Sequence, residues 1–431
     1  PLDSSAYGGV YALTDKIDLH PDRVAIDRMS ALATGATEIT GGYLLKIDQP
    51  DPDEFSWTTE QGLDVDTLSS VVVASPKAAR LSAAQRTYIR GYVQQMENAL
   101  HADRASGWRT RTHLNFLDRP SWVDHHILNT FAANPDAFER SAYFYKPRGG
   151  RISAGPAWDF DRAFGSYWDE RSFRWDLWYG EGAVQPWNFS WWGILATDPE
   201  FRQAWVDRWQ ALRRDAFSDT NLTGLADQLA VALGPKAAAR DAARWVDNVS
   251  GFGGTHAGEM AHLKDWLVRR AGWIDEQFVA PPILTPAGTE VALTTVAGVP
   301  VAYTLDGSDP RALGGDVAPN ALMTSVRITI PATANLHARS YPAAALDAFP
   351  GTPWSSAAAT ATASPHAPAA RIVNISSRAE VGSGERALIM GVVVADSATK
   401  RYLSRAVGPA LTAVGVANPV PDPQLTVFAE G

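Results

Sequence analysis

The 431-residue sequence contains no cysteine, which excludes disulfide bonds and thiolate metal sites. This absence does not distinguish an intracellular protein from an exported one. The sequence also lacks the apolar run of roughly 18 residues that a transmembrane helix requires. Basic residues are outnumbered 38 to 47 by acidic ones, and the formal net charge is −9. A nucleic-acid partner is therefore not expected, because phosphate-backbone binders normally carry a basic stripe.

The first residues, PLDSSAYGGVYAL, are not typical of a signal peptide. They lack its charged start and apolar centre, and they already have the pattern of a strand. We therefore expect the N-terminal part of the first domain to be missing. The length allows two to four domains at roughly 100–200 residues each, and 45% hydrophobic residues can bury a sizeable core.

Strands and turns are predicted for residues 1–50. The runs GGVYALTDKIDL and TGGYLLKIDQ are both apolar, both follow paired glycines, and each contains one lysine, Lys16 or Lys46. Further along, SAYFYKPRGGRISAGPAW predicts two short strands around a turn at Gly149 and Gly150.

Helical periodicity begins near Leu81. Ser82 and Gln85 have the spacing of a capping box, and apolar residues follow at helical spacing. A second helix is predicted for residues 121–131. Residues 198–280 are predicted to be mainly helical, with Asp198 as an N-cap.

After residue 280 the composition changes to short Val/Thr-rich strands. It predicts a β-sandwich over residues 281–360, a linker of Ala, Thr, Ser and Pro over 361–370, and a partial β-rich module over 371–431. The predicted fold class is therefore α+β, followed by β-sandwich modules.

The segment GPAWDFDRAFG places Asp159 and Asp161 two residues apart among aromatic side chains. On an extended segment, side chains with this spacing point to the same side. A Mg²⁺ ion commonly takes one or two carboxylates plus substrate phosphates, so the pair predicts half of a metal site. The alternative is that one aspartate caps a turn and the other is solvated.

Asp136 precedes the first of the two strands that lead to this segment. A hairpin between them would bring Asp136 close to Asp159. Clustered carboxylates repel one another unless a cation or a proton lies between them, which favours the metal interpretation.

Together, NPDAFERSAYFYKPRGG and GPAWDFDRAFG resemble the CotH (spore-coat protein H) kinase family. That family has an Asn-x-Asp, a tyrosine-rich strand and a Trp-Asp-x-Asp. YGGVYALTDKID and TGGYLLKID resemble two further strands of the family, so the resemblance covers residues 1–280. It implies an atypical kinase-like fold of secreted proteins that binds ATP and Mg²⁺ and phosphorylates serine or threonine of a surface or secreted protein.

Carried over by position, Asp136 matches the catalytic-loop aspartate and Asp159 the metal-binding aspartate. Asp161 would be a second metal ligand or a support for the first. Lys16 and Lys46 are candidate contacts for the nucleotide phosphates, because a compact ammonium suits a phosphate. The alternative is that both ammonium groups simply reach solvent.

Three departures from the family pattern leave catalysis open. The Arg-Gly-x-Ser region that meets the phosphates is absent and is expected before Pro1, Ser141 replaces an asparagine, and Asp15 replaces a glutamate. A non-catalytic surface or matrix protein with a degenerate kinase-like domain is therefore the first alternative.

A carbohydrate-associated binding protein is the second alternative. Nine tryptophans lie between Trp158 and Trp209, and VAYTLDGSDPRALGG resembles a chitobiase or hexosaminidase C-terminal module. Core packing would explain the tryptophans equally well, and a turn would explain Asp306 and Asp309 as well as Ca²⁺ binding would. The appended modules resemble those of exported bacterial proteins, so an extracellular or cell-surface location is expected.

Overall fold

A computed structural model describes residues 8–11, 17–61, 69–166, 169–180, 185–245, 251–252, 254–295, 298–341, 354–355 and 421. The chain divides into two compact units, residues 1–364 and residues 365–431. The predicted partial module at 371–431 lies outside the described residues, apart from residue 421. So do Lys16 and the linker at 361–370.

Helices and antiparallel sheets are both present, which confirms the α+β class. The helices of the described residues are α1 (Ala83–Ala105), α2 (Arg119–Ala132), α3 (Ser190–Leu195), α4 (Pro199–Arg213), α5 (Asp219–Leu233), α6 (Pro235–Arg244) and α7 (His256–Glu276). The strands are β1 (Tyr43–Asp48), β2 (Phe55–Trp57), β3 (Ser70–Ser75), β4 (Ala142–Lys146), β5 (Ser153–Ala154), β6 (Ile283–Ala287), β7 (Glu290–Thr294), β8 (Val301–Thr304), β9 (Leu322–Thr324), β10 (Ile328–Pro331) and β11 (His337–Ser340). In these residues no helix is both long and apolar enough to cross a membrane.

The first five strands form one antiparallel sheet in the order β2-β3-β1-β4-β5. Strand β1 lies at its centre, and alternate side chains of this strand face opposite sides. Tyr43, Leu45 and Ile47 belong to the main core, whereas Leu44 packs against the segment around Leu19 on the other face. The strand predicted from TGGYLLKIDQ is therefore present.

Helix starts follow the capping signals in the sequence. Ser82 accepts from the backbone of Gln85, and the Gln85 side chain accepts the Ser82 N–H, which confirms the predicted capping box. Asp198 caps α4, and Pro199 occupies its first turn. Each such cap stabilises its helix by about 1 kcal/mol.

The tryptophan-rich segment contributes mainly to the core. Trp191, Trp192, Trp205 and Trp209 are at most 4% exposed. Three others pack partly buried against the same core: Trp175, Trp178 and Trp187. Trp158 is 38% exposed. The core interpretation of Trp205 and Trp209 is therefore confirmed, and the described tryptophans form no exposed row that could stack on a sugar.

Strands β6 to β11 form two three-stranded antiparallel sheets with a small shared core around Leu293 and Val301. The DGSDP segment follows β8 and precedes β9 in one of these sheets. Asp306 accepts from the backbone and hydroxyl of Ser308, and Asp309 accepts the Arg311 N–H at 3.0 Å while also pairing with Arg339. These contacts agree with the turn interpretation of both aspartates.

Candidate functional site

An open cavity of about 560 Å³ lies beside the end of β1. Every residue that lines it is charged or polar: Asp48, Asp136, Glu139, Arg140, Ser141, Asp159, Asp161, Arg162 and Arg171. The predicted residues Asp136, Asp159 and Asp161 therefore meet at one place. They come from the segment after α2 and from the segment after β5.

The C-terminal end of α2, four residues before Asp136, is bonded to other segments. All four terminal carbonyls of α2 have partners outside the helix, although such groups usually need capping or water. Tyr179 donates its hydroxyl to Asn129 O at 3.0 Å, and the Phe164 N–H donates to Ala132 O at 2.7 Å. Arg270 donates to the remaining two, Thr130 O at 2.6 Å and Phe131 O at 3.3 Å.

One buried amide connects the two aspartate segments. Asn134 is 1% exposed. Its Nδ2 donates to Asp159 O at 3.0 Å, and its Oδ1 accepts the Asp136 N–H at 3.4 Å. Asn134 is the asparagine of the Asn-x-Asp pattern, and its contacts fix the spacing between the backbones of the two aspartates.

The conformation of Asp159 differs from the extended segment that the sequence argument assumed. Its φ is 64°, in the left-handed region, and a turn follows at residues 161–162. Aspartate tolerates this region better than most residues because its short polar side chain can bond locally. Here Asp159 Oδ2 accepts the Ser141 hydroxyl at 3.0 Å. Both Asp159 and Asp161 still line the cavity, although a turn rather than an extended strand brings them there.

The cavity is electrostatically unfavourable for so many carboxylates. Burial raises the pKa of Asp159 above its usual value, and the neighbouring carboxyls of Asp161 and Asp136 raise it further, while the Ser141 hydroxyl opposes the shift. Carboxyls clustered in this way repel one another unless a proton or a cation lies between them.

The CotH kinase protein family matches residues 3–274. The chain belongs to this family. The match covers the sheet β1 to β5, all seven described helices up to residue 274, and the cavity. No curated protein matches the chain.

The sequence argument missed Arg171, which lines the CotH cavity, and Asp169, which bonds to Arg171 from outside the lining. Arg171 Nη2 lies 3.3 Å from Asp136 Oδ1, and Arg171 forms two further side-chain hydrogen bonds with Asp169. Nothing in the local sequence DERSF indicates these contacts, because Asp136 lies 35 residues away along the chain. Asp136 is therefore partly neutralised, whereas Asp159 has no arginine partner among the described contacts.

Lys46 lies beside the CotH cavity but does not line it. Its ammonium lies 3.2 Å from Glu54 and 3.4 Å from Asp48, and Asp48 does line the cavity. A direct contact between Lys46 and phosphate stays a prediction, as does the role of Lys16.

The adjacent histidines of α2 take no part in the site. His126 Nδ1 accepts the Trp205 indole N–H, and its Nε2 donates to Pro186 O, so both ring nitrogens are used in packing. Across the described residues, no group of three or more potential ligands is arranged to hold a metal alone.

The carboxylate pair nevertheless fits Mg²⁺ bound together with a phosphate ligand. Mg²⁺ keeps several waters and takes one or two protein carboxylates when substrate phosphates supply further oxygens. Asp159 and Asp161 provide those two carboxylates on the cavity wall, where a cation would relieve their mutual repulsion.

Proposed function

We propose that this protein is a CotH-type protein kinase, exported to the cell surface or beyond. It transfers phosphate from ATP to a serine or threonine hydroxyl of a surface or secreted protein. The observation that carries this proposal is the convergence of Asp136 and Asp159 on one polar cavity, with Asn134 bridging their backbones. Phosphoryl transfer depends chiefly on positioning and charge neutralisation, which such an arrangement supplies.

Asp159 and Asp161 would hold the Mg²⁺ ion, whose contribution is to neutralise charge on the phosphates. Ser141 keeps the Asp159 carboxylate in place by its hydrogen bond. Asp48 and Lys46 of β1 would lie on the side of the nucleotide phosphates that faces the sheet.

Asp136 would accept the hydrogen bond of the substrate hydroxyl. As the hydroxyl oxygen forms its bond to the γ-phosphorus, the bond from that phosphorus to the β,γ-bridging oxygen breaks and ADP leaves with the electron pair. The hydroxyl proton passes to Asp136 and then to solvent. Asp136 is 30% exposed through its side chain, so both an acceptor and water can reach it.

Phosphate transfer from γ-labelled ATP to a degenerate serine/threonine peptide library tests this proposal. We expect Asp136→Asn to lower the transfer rate by about 10²–10⁴-fold, because a positioned general base contributes that much. The affinity for MgATP should be retained, since Asp136 is not assigned to the metal.

Unchanged transfer by Asp136→Asn would refute the role of this residue. Binding of MgATP without transfer in the unmodified protein would instead favour the non-catalytic surface protein. For a non-catalytic protein, the relevant departure from the family pattern would be Ser141, which stands in place of an asparagine and donates a hydrogen bond to Asp159.

A further inference from the structure

Arg171 and Asp169 form a fixed pair at one wall of the cavity. Arg171 Nε donates to Asp169 Oδ1 at 2.8 Å, and Nη2 donates to Oδ2 at 2.5 Å. The same Oδ1 also accepts the Arg171 backbone N–H at 3.1 Å, because Asp169 caps a short 3₁₀ turn, Glu170–Ser172. The Asp169 side chain is only 6% exposed. The direction of the guanidinium is therefore set by two hydrogen bonds to one buried carboxylate, and the backbone N–H of Arg171 fixes that carboxylate in turn.

The guanidinium then reaches the candidate general base. Arg171 Nη2 lies 3.3 Å from Asp136 Oδ1, and both side chains remain partly exposed, at 25% and 30%. One oxygen of Asp136 is held in this way. A bidentate arginine is suited to such a task because its planar fork fixes orientation and its charge does not titrate.

A carboxylate that accepts a hydroxyl proton needs both the right place and the right charge. The backbone of Asp136 is placed by Asn134, but its side-chain torsions are not restrained by that contact. A neighbouring guanidinium restrains them and places a positive charge beside the carboxylate.

We propose that Arg171 is a positioning residue for Asp136, itself aimed by Asp169. This inference rests on the proposed kinase function and goes beyond it, since it assigns a role to the chain of ion pairs from Asp169 through Arg171 to Asp136. Its consequence is that loss of Arg171 affects the chemical step more than the binding of MgATP.

Three variants test this role in the full chain. Arg171→Gln removes the charge, and Arg171→Lys keeps the charge but cannot reproduce the fork. Arg174→Gln is the matched control, because Arg174 pairs with Asp176 by the same two bonds, at 2.8 and 2.7 Å, but does not line the cavity.

We expect Arg171→Gln to lower kcat by at least about tenfold while the KM for MgATP changes by less than about twofold. Arg171→Lys should recover part of kcat, and Arg174→Gln should match the unmodified protein. Equal kcat values for Arg171→Gln and Arg174→Gln would overturn the proposal, as would a rise in KM without loss of kcat.

A double-mutant cycle supplies a readout that needs no activity. Arg171→Gln and Asp136→Ala should shift the thermal unfolding midpoint non-additively, because the two side chains interact. Additive shifts would overturn the proposal whatever the activity. If the unmodified protein transfers no phosphate while the cycle stays non-additive, the kinase function fails and the pair is an ion pair without a catalytic role.

Discussion

Asp159 combines a strained backbone with a carboxylate that is only partly shielded from solvent. A non-glycine residue at φ 64° costs on the order of 1 kcal/mol or more, and it persists only where surrounding contacts impose it. Those contacts are the Asn134 amide on its carbonyl and the Ser141 hydroxyl on its side chain. Stability is thus given up at the residue that we assign to the metal.

The strain at Asp159 predicts a difference in stability between two variants. Both Asp159→Gly and Asp159→Ala lose the Ser141 hydrogen bond, but only glycine relieves the strain of the left-handed backbone. We expect the glycine variant to be more stable than the alanine variant by about 1 kcal/mol in urea unfolding. Neither variant should retain Mg²⁺-dependent nucleotide binding. A more stable alanine variant would show that the left-handed backbone is not strained.

The sequence identified the aspartates of the site but not their partners. Asp136, Asp159 and Asp161 could be predicted because the motif carries them and a hairpin brings them together. Arg171 could not, because its contact with Asp136 depends on a 3₁₀ turn 35 residues away. Lys46 was predicted to reach the nucleotide, but its pairing with Glu54 depends on strand register, which the sequence does not specify.

Among the elements, α2 matters most because it ends at the catalytic segment. Arg270 of α7 is completely buried and donates to five backbone carbonyls around this end: Thr130, Phe131, Trp175, Leu177 and Trp178. Burial lowers the pKa of Arg270 to about 10, so it stays charged at neutral pH. Its charge also suits the negative end of the α2 dipole.

Arg270→Met should therefore destabilise the protein by about 3 kcal/mol or more, since it leaves several buried carbonyls unpaired. Arg269→Met is the matched control, because Arg269 is 54% exposed and its pair with Asp265 is a surface ion pair. That change should cost less than about 1 kcal/mol. Equal losses in urea unfolding would contradict the role given to Arg270.

Two buried histidines of α2 also make the protein less stable at acid pH. Burial lowers the pKa of His125 to about 4 and that of His126 to about 3, so folding requires the neutral imidazoles. The unfolded chain binds protons near pH 6.5. Stability from these groups is therefore complete above about pH 6.5 and falls as the pH drops toward 4.

His125→Phe should reduce the loss of unfolding free energy at acid pH. The His125 ring stacks on Trp192 and Phe144, and a phenyl ring can keep both contacts without titrating. Between pH 7 and pH 5 the unmodified protein should lose about 2 kcal/mol more unfolding free energy than the variant. An equal loss of unfolding free energy in both proteins would show that His125 does not cause the decrease in stability at acid pH.

Helix ends were the most predictable elements. Ser82 with Gln85 and Asp198 with Pro199 are local signals, and local hydrogen bonds decide them. The turn at Asp159 was predicted wrongly as extended, because its left-handed backbone is imposed by Asn134 and Ser141 from other segments.

At the scale of the whole molecule, a cluster of ion pairs connects the two three-stranded sheets, β6 to β11, to α4. Arg339 bonds both Asp207 of α4 and Asp309 of the DGSDP turns. Arg311 donates to Glu200 near the start of the same helix. The sequence suggested a change of composition near residue 280, but it could not show this junction, because Arg339 and Asp207 lie 132 residues apart.

The central claim for the molecule is that Asp159 holds a magnesium–nucleotide complex in the cavity. The most direct test is calorimetric titration with MgATP of the unmodified full chain and of Asp159→Ala, under conditions in which both proteins are folded. We expect saturable binding that requires Mg²⁺ in the unmodified protein and at least about a tenfold weaker affinity in the variant. Equal MgATP affinity in the two proteins would contradict the account.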